Sequence, residues 1–149
     1  MQFQGERTLS APADELFPRL ADAIFLVSCI PDASPLGSPT PDMAQCAVRP
    51  NFSFARGSLD VTIQVVSRQP NTATKFLLGS KGIGSSADVE ASLTLTPMGQ
   101  ETRVAWTAAI VKLGGLLKMV PQGLIRGAAQ KVIDDVWQGI EDKLRTPSA

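Results

Sequence analysis

The chain has no histidine and no tyrosine among its 149 residues. Without an imidazole, a Ser-His-Asp or Cys-His nucleophile and the common histidine-containing zinc sites are excluded, and no phenol stands in as proton donor. An enzyme built on this sequence would work with carboxylates, lysine, arginine or serine alone. Cysteine is scarce too: Cys29 and Cys46 are too few for a zinc ribbon and too widely spaced for a redox pair. They read as two buried thiols, since a free cysteine behaves as a small core hydrophobe. Net charge is also missing. Fourteen basic and fourteen acidic side chains cancel, so no long-range field draws in a polyanion, and nucleic acid is not an expected partner. No stretch reaches the roughly 18 uninterrupted apolar residues of a membrane span, and Met1 to Arg7 carries no apolar leader. The chain reads as soluble and cytoplasmic.

What is present fits one globular domain over residues 1–149, with 44% apolar and 19% charged side chains. That is enough apolar surface to offset the entropy of ordering the chain. Phe3 to Leu9 alternates as an opening strand. Ser10-Ala11-Pro12-Ala13-Asp14-Glu15 then starts a helix, with proline near the first position and two acids at the positive end of the helix dipole. Leu16, Phe17 and Leu20 give it a core face, and a second short helix spans Asp22 to Ser28 before Pro31 stops it. The four prolines between 31 and 41 mark a loop with little regular hydrogen bonding.

From Met43 onward, strands follow one another with only turns between, which predicts a meander. Leu59, Val61, Ile63 and Val65 alternate with polar residues, as do Ala87, Val89, Ala91, Leu93 and Leu95. Phe52 and Phe54 have the opposite parity to Leu59, so a bulge is expected near Gly57. Turns are predicted at Arg49-Pro50-Asn51, Gln69-Pro70-Asn71, Lys81 to Ser86 and Pro97 to Gln100. The Lys81 to Ser86 segment has only the outline of a phosphate loop, lacking its Gly-Lys-Ser/Thr ending and leading into a strand. The last strand, Thr102 to Lys112, places Val104, Trp106, Ala108 and Ile110 on one face. A large ring beside a small alanine leaves uneven relief there.

After Gly114-Gly115, the residues Leu117, Val120, Leu124, Ile125, Ala128, Val132, Val136, Ile140 and Leu144 recur at intervals of three and four. Arg126, Gln130, Asp134, Gln138, Glu141 and Arg145 take the other side. Pro121 marks a kink or the first turn, and the helix is expected from about 121 to 145. Gly123 and Gly127 fall on its wet side, where each costs about 1 kcal/mol relative to alanine. They are a loosened helix start that admits a ligand, a seat for a partner's backbone, or tolerated glycines.

The order strand, two short helices, antiparallel strands, long C-terminal helix is that of the α+β helix-grip fold, here with a curved antiparallel sheet of six to seven strands. Gly5-Glu6, Ala11-Pro12-Ala13-Asp14-Glu15, Cys29-Ile30-Pro31, Gly114-Gly115-Leu116-Leu117 and Leu124-Ile125-Arg126-Gly127-Ala128-Ala129-Gln130-Lys131 resemble the CoxG-like family of carbon monoxide dehydrogenase subunits, within the START and Bet v 1-like (SRPBCC) superfamily. The resemblance spans nearly the whole chain. It implies a cavity between sheet and long helix that holds an apolar or lipid-like molecule. In some members it also implies a part in bringing a molybdenum hydroxylase to the membrane or in its maturation. Asp32 stands where the family usually has glycine, and Pro121 interrupts the helix start. The chain ends at Ala149 without the hydrophobic extension of some relatives, so membrane contact is expected to be at most peripheral, at the inner face.

On this resemblance the expected ligand-binding residues are Phe25, Ile30, Phe54, Phe76, Leu78, Val89, Ala91, Trp106, Ala108, Leu117, Val120, Leu124 and Ala128, with Met119 beside them. Each is equally an ordinary core position by its period. Arg7 shares the parity of Phe3 and Leu9. It is either a polar anchor for a ligand's anionic or carbonyl head, or an edge-strand residue reaching solvent or a surface carboxylate. Asp134, Asp135, Glu141 and Asp142 read as a solvated helix face, and neither metal nor cofactor is expected.

The expected function is non-catalytic binding or carrying of a hydrophobic small molecule, lipid, isoprenoid or quinone-like, accessory to a molybdenum hydroxylase such as carbon monoxide dehydrogenase. Two alternatives share the fold. A cyclase or aromatase-type enzyme would need polar pocket groups in mutual contact. An assembly module would show a filled core and an exposed apolar patch.

Overall fold

A computed structural model of the chain describes residues 1–49 and 57–145. Strand β1 (Gln2–Leu9) leads into helices α1 (Ala13–Leu20) and α2 (Ala23–Ser28). A meander of β2 (Ser34–Leu36), β3 (Met43–Val48), β4 (Leu59–Gln69), β5 (Ala73–Gly82), β6 (Ser85–Met98) and β7 (Glu101–Gly115) follows. A 3-10 turn (Leu116–Met119) then precedes α3 (Gln122–Arg145). The seven strands form one sheet in the order β1-β7-β6-β5-β4-β3-β2, and every adjacent pair is antiparallel. This is the helix-grip architecture.

Local chemistry accounts for the boundaries. Pro12 caps α1 from outside, its carbonyl accepting from Glu15 and Leu16 at 3.1 Å each. The Asp22 carboxylate accepts from the Ile24 N–H at 2.8 Å and so caps α2. Pro121 lies just before α3, where a missing N–H costs nothing, and its carbonyl accepts from Leu124 and Ile125 at 3.0 and 3.2 Å. Of the two alternatives at Pro121, the structure takes the first turn. The β5–β6 hairpin turns on Ile83 and Gly84, with φ of 57° and 69°. Both signs are those of a type I′ turn, which here forces a β-branched residue into the left-handed region.

Three features depart from the sequence expectation. The proline-rich loop contains β2, paired with β3 from Ser34↔Ala47 to Leu36↔Gln45. It is an edge strand with every residue exposed, a place where Pro35 displaces no ladder bond that matters. Strand β7 runs three residues past Lys112, to Gly115. The bulge expected near Gly57 involves residues 50–56, outside the described residues, while register shifts occur at Val65/Ser67 and Asp88/Val89. The third departure is the inward face of α3. Ile125, Trp137 and Ile140 are its buried residues, whereas Leu124 and Val132 are 49% and 46% exposed. The inward stripe therefore keeps the anticipated Ile125, Val136, Ile140 and Leu144 and passes through Ala129, Ile133 and Trp137 in place of Leu124 and Val132.

Fully buried Leu16, Leu20 and Val104 mark the centre of the core, where α1, α2 and the end of α3 meet the sheet. Each such side chain contributes about 1.5–3 kcal/mol through burial. The Thr102 hydroxyl, also fully buried, donates to the Ala11 carbonyl at 2.8 Å and ties β7 to the start of α1. Helix α3 approaches the end of α2 so closely that a Cβ on Gly139 would run into the Cys29 carbonyl. Arg68 fastens the opposite corner, donating to the carbonyls of Ala21 and Pro41 and to the Asp42 carboxylate at 3.0, 2.9 and 2.6 Å.

Candidate functional site

The strand registers sort the inner face of the sheet into rows running across it. Leu95 and Val104 pair in one row and are buried, as are Thr74, Leu93 and Trp106 in the next. In the third row Val65, Phe76 and Phe3 are buried, but the small Ala91 and Ala108 between them are only half-buried. Beyond it Leu78, Val89 and Ile110 are half-buried, and then Val61, Ser80, Ala87 and Leu113. Along β5, β6 and β7 coverage thus falls toward the end where β5 turns into β6, whereas on β3 and β4 the same rows stay closed through Ala44, Cys46 and Ile63.

Helix α3 is closed at both ends of its inward stripe, since Ile125 in its first turn is also buried. Its C-terminal half is seated through Trp137 and Ile140, while Ala128, Ala129, Ile133 and Val136 are half-buried. Between these rows of β5 to β7 and the stretch of α3 from Ala128 to Val136 lies apolar, only partly covered surface with two alanines at its centre, the candidate cleft. A cleft of this lining suits an apolar molecule with few polar groups.

The structure brings Leu78, Val89, Ala91 and Ala108 together in the open rows, with Phe76 and Trp106 buried at their closed edge. Leu117 and Val120, half-buried, flank the entry of α3. Ala128 is half-buried on α3, but Leu124 is turned outward, and Met119 is 83% exposed. Phe25 and Ile30 belong to α2 and the turn after it, packed against the core beside β3 and β4. Phe54 lies outside the described residues. Sequence reasoning missed Ile110, Leu113, Ala129 and Ile133. Ile110 already had the right parity. Ile133 was obscured because the neighbouring stripe through Leu124 and Val132 is equally apolar.

Arg7 has its guanidinium at the seam between edge strand β1 and α3. It donates to Glu141 at 3.3 Å, lies 3.7 Å from Asp134, and sits 5.8 Å from the centre of the Trp137 ring. Of the two readings of Arg7, this geometry is that of an edge residue meeting carboxylates. Further along the seam, Arg126 covers the Phe3 ring at 5.0 Å. Between Phe3 and Arg7 is Gly5, whose missing side chain makes room for Trp106: a Cβ there would be 2.8 Å from the indole ring. The Trp106 Nε1–H is buried and has no hydrogen-bond partner among the described residues, which costs about 1–3 kcal/mol.

Both cysteines are free and buried. Burial pushes the Cys29 thiol up to about 11, against smaller opposing effects of the Ser28 hydroxyl and Lys143. Burial, and then the charge of Asp60, raise Cys46. Neither thiol is poised as a nucleophile. An open depression of about 350 Å³ is bounded mainly by outer-face residues, Gln64, Leu77, Asp88, Glu90 and Val111, and also touches Leu78 and Val89 near the Asp88/Val89 register shift. It holds two carboxylates and no cation. Among the described residues, no helix is long and apolar enough to cross a membrane.

No curated protein matches the chain. Solved structures do. A conserved protein from Geobacillus kaustophilus superposes with a TM-score of 0.83 at 22% identity, covering 96% of this chain and 94% of the other. A START superfamily protein from Mycobacterium smegmatis gives a TM-score of 0.66 at 11% identity, covering 95% of each chain. A protein from Mesorhizobium loti gives 0.65 at 17% identity over 99% of this chain and 100% of that one. These likenesses establish the START-like fold. The family model for the CoxG subunit of carbon monoxide dehydrogenase matches residues 5–145, from the glycine beneath Trp106 to the last turn of α3, and the chain belongs to that family.

Proposed function

We propose that the protein is a non-catalytic binder or carrier of a hydrophobic small molecule of lipid, isoprenoid or quinone-like character, held between the open half of the sheet and α3. The observation that carries this reading is the graded coverage of the inner face. Ala91, Ala108, Leu78, Val89 and Ile110 are apolar, inward-facing and only half-covered. Leaving such surface exposed forgoes roughly 25 cal/mol per Å², and a guest recovers it. Membership of the CoxG family supports an accessory role beside a molybdenum hydroxylase such as carbon monoxide dehydrogenase, with the cargo serving that enzyme at the inner face of the membrane. The chemistry supports a carrier over a cyclase. The titratable groups nearest the seam, Arg7, Asp134 and Glu141, are spent on one another, and the cleft rows are almost wholly apolar.

The test is titration with Nile red. Saturable uptake at a single class of site is expected, and Ala108→Phe, which fills the cleft, should abolish it. Leu77→Glu, in the outer depression, should leave it unchanged. Uptake that is insensitive to Ala108→Phe but lost in Leu77→Glu would move the site to the outer face and overturn the reading.

A further inference from the structure

We infer that the 3-10 turn and the first turn of α3 form a docking surface for a bilayer carrying anionic lipid. This rests on the cleft holding an apolar guest, as proposed above, and names the partner with which that guest is exchanged. Met119 is 83% exposed and Leu116 59%, the two most exposed large apolar side chains among the described residues. Leu124, in the first turn of α3, is 49% exposed. The three fall within residues 116–124. The Leu116 N–H donates to the Gly84 carbonyl at 3.0 Å, which holds the turn against the tip of the β5–β6 hairpin, the end of β5 to β7 where coverage is lowest. Single exposed apolar side chains need no explanation, but three grouped on one short stretch beside a half-covered apolar face mark an interaction site.

Charge selects the partner. The chain as a whole is neutral. Residues 79–87 and 111–133, which make the hairpin tip, the end of β7, the 3-10 turn and the start of α3, hold Lys81, Lys112, Lys118, Arg126 and Lys131 and no acid. All five are exposed. Asp60 and Asp88 stand opposite Lys81 and Lys112 across the strands, and Asp135 holds Lys131 at 2.7 Å. The surplus is therefore carried by Lys118, inside the apolar turn, and by Arg126, which lies on the Phe3 ring. Neither is paired with a carboxylate among the described residues.

Apolar side chains interleaved with cations are the composition of an interfacial segment. The hydrocarbon enters the boundary between headgroups and acyl chains, and the cations meet the anionic lipid. A protein partner would need a matching pocket for each projecting side chain, whereas a bilayer accepts a protruding turn without one. The position also suits the cargo, because an apolar guest passing between bilayer and cleft beside this turn stays out of water.

The test is co-sedimentation of the full chain with vesicles of phosphatidylcholine alone and of phosphatidylcholine with phosphatidylglycerol in equal parts, with Nile red uptake measured beside it. Binding is expected where phosphatidylglycerol is present, and molar sodium chloride should release it. Lys118→Gln should weaken it about fivefold, the worth of one cation near an anionic surface. Met119→Ser should weaken it about tenfold, from apolar area no longer removed from water. Met98→Ser, at the far end of β6 and also exposed, should leave it unchanged, and none of the three should alter Nile red uptake. Binding that falls in Lys118→Gln but is indifferent to Met119→Ser would make this a surface read by charge alone, suited to an acidic protein, and would overturn the inference. A wild type that takes up Nile red but binds neither kind of vesicle would overturn it too, with the cleft left standing. If the wild type takes up no Nile red, the cleft reading falls and this inference with it. Should a variant not fold, the dependence of the wild type on phosphatidylglycerol and salt decides.

Discussion

Three glycines of α3 turn one substitution into a test of how the helix is set. A Cβ at Gly139 would collide with the backbone carbonyl of Cys29, whereas nothing lies within 4 Å of a Cβ at Gly123 or Gly127. Replacing a mid-helix glycine by alanine gains about 1 kcal/mol through helix propensity alone. Gly127→Ala should realise that gain. Gly123→Ala should realise about half of it, because Gly123 is the second residue of the helix and helix ends fray. At Gly139 the same gain is opposed by an overpacking cost of about 1–3 kcal/mol or more, since the obstructing atom is backbone and cannot rotate away. The net expectation for Gly139→Ala is a loss of about 0–2 kcal/mol. For a chain of this size, 1 kcal/mol corresponds to about 2–4 °C in Tm. Urea unfolding at constant slope separates the signs, and the shifts at 127 and 139 should add, because the sites are about 18 Å apart along the helix. A stabilised Gly139→Ala, or a destabilised Gly127→Ala, would mean that α3 is rotated differently from the description above. The cleft lining would then have to be redrawn.

Alkaline pH should weaken the fold through Cys29. Its folded pKa of about 11 lies above its ordinary value of 9.0, so the folded state holds the proton more tightly. That stabilisation is fully present below pH 9 and is lost as pH rises toward 11. Unfolding titrations should lose about 2 kcal/mol between pH 8 and pH 10.5, a loss that Cys29→Ala removes. Arg7→Met should cost about 1 kcal/mol at low ionic strength and less in molar sodium chloride, without changing Nile red uptake. Lost uptake at unchanged stability would instead make Arg7 a ligand anchor. Ile83→Asn should raise Tm by about 2–4 °C, because asparagine accepts the left-handed turn conformation that isoleucine resists. An unchanged or lower Tm would contradict the type I′ turn.

The sheet was legible because its information is local. Leu59 to Val65 and Ala87 to Leu95 alternate cleanly, and Asn71, Gly84 and Gly99, all at positive φ, announce the turns between strands. Strand β2 was hidden because its residues are all exposed, so burial left no periodic mark on Ser34–Leu36. The helix was legible in extent but not in rotation. Both the Leu124/Val132 stripe and the Ile125/Ile133 stripe are apolar, and only the sheet it meets decides which turns inward. Trp137 shares the helical spacing of Ile133, Ile140 and Leu144, but the competing stripe through Val132 and Val136 passes it by. Close approaches such as Gly5 under Trp106 and Gly139 against Cys29 are tertiary facts without a sequence pattern. The alanines of the cleft were visible as small residues beside a large ring, but the gradient of coverage along β5, β6 and β7 depends on where α2 and α3 rest on the sheet.

The central claim is that the half-covered inner face is kept open for an apolar guest. It is tested most directly by extracting protein purified from its native host with organic solvent and identifying what is released by mass spectrometry. One dominant apolar molecule is expected in near-stoichiometric amount, absent from Ala108→Phe prepared in the same way. A clean extract from the wild type, or the same mixture from both proteins, would contradict it.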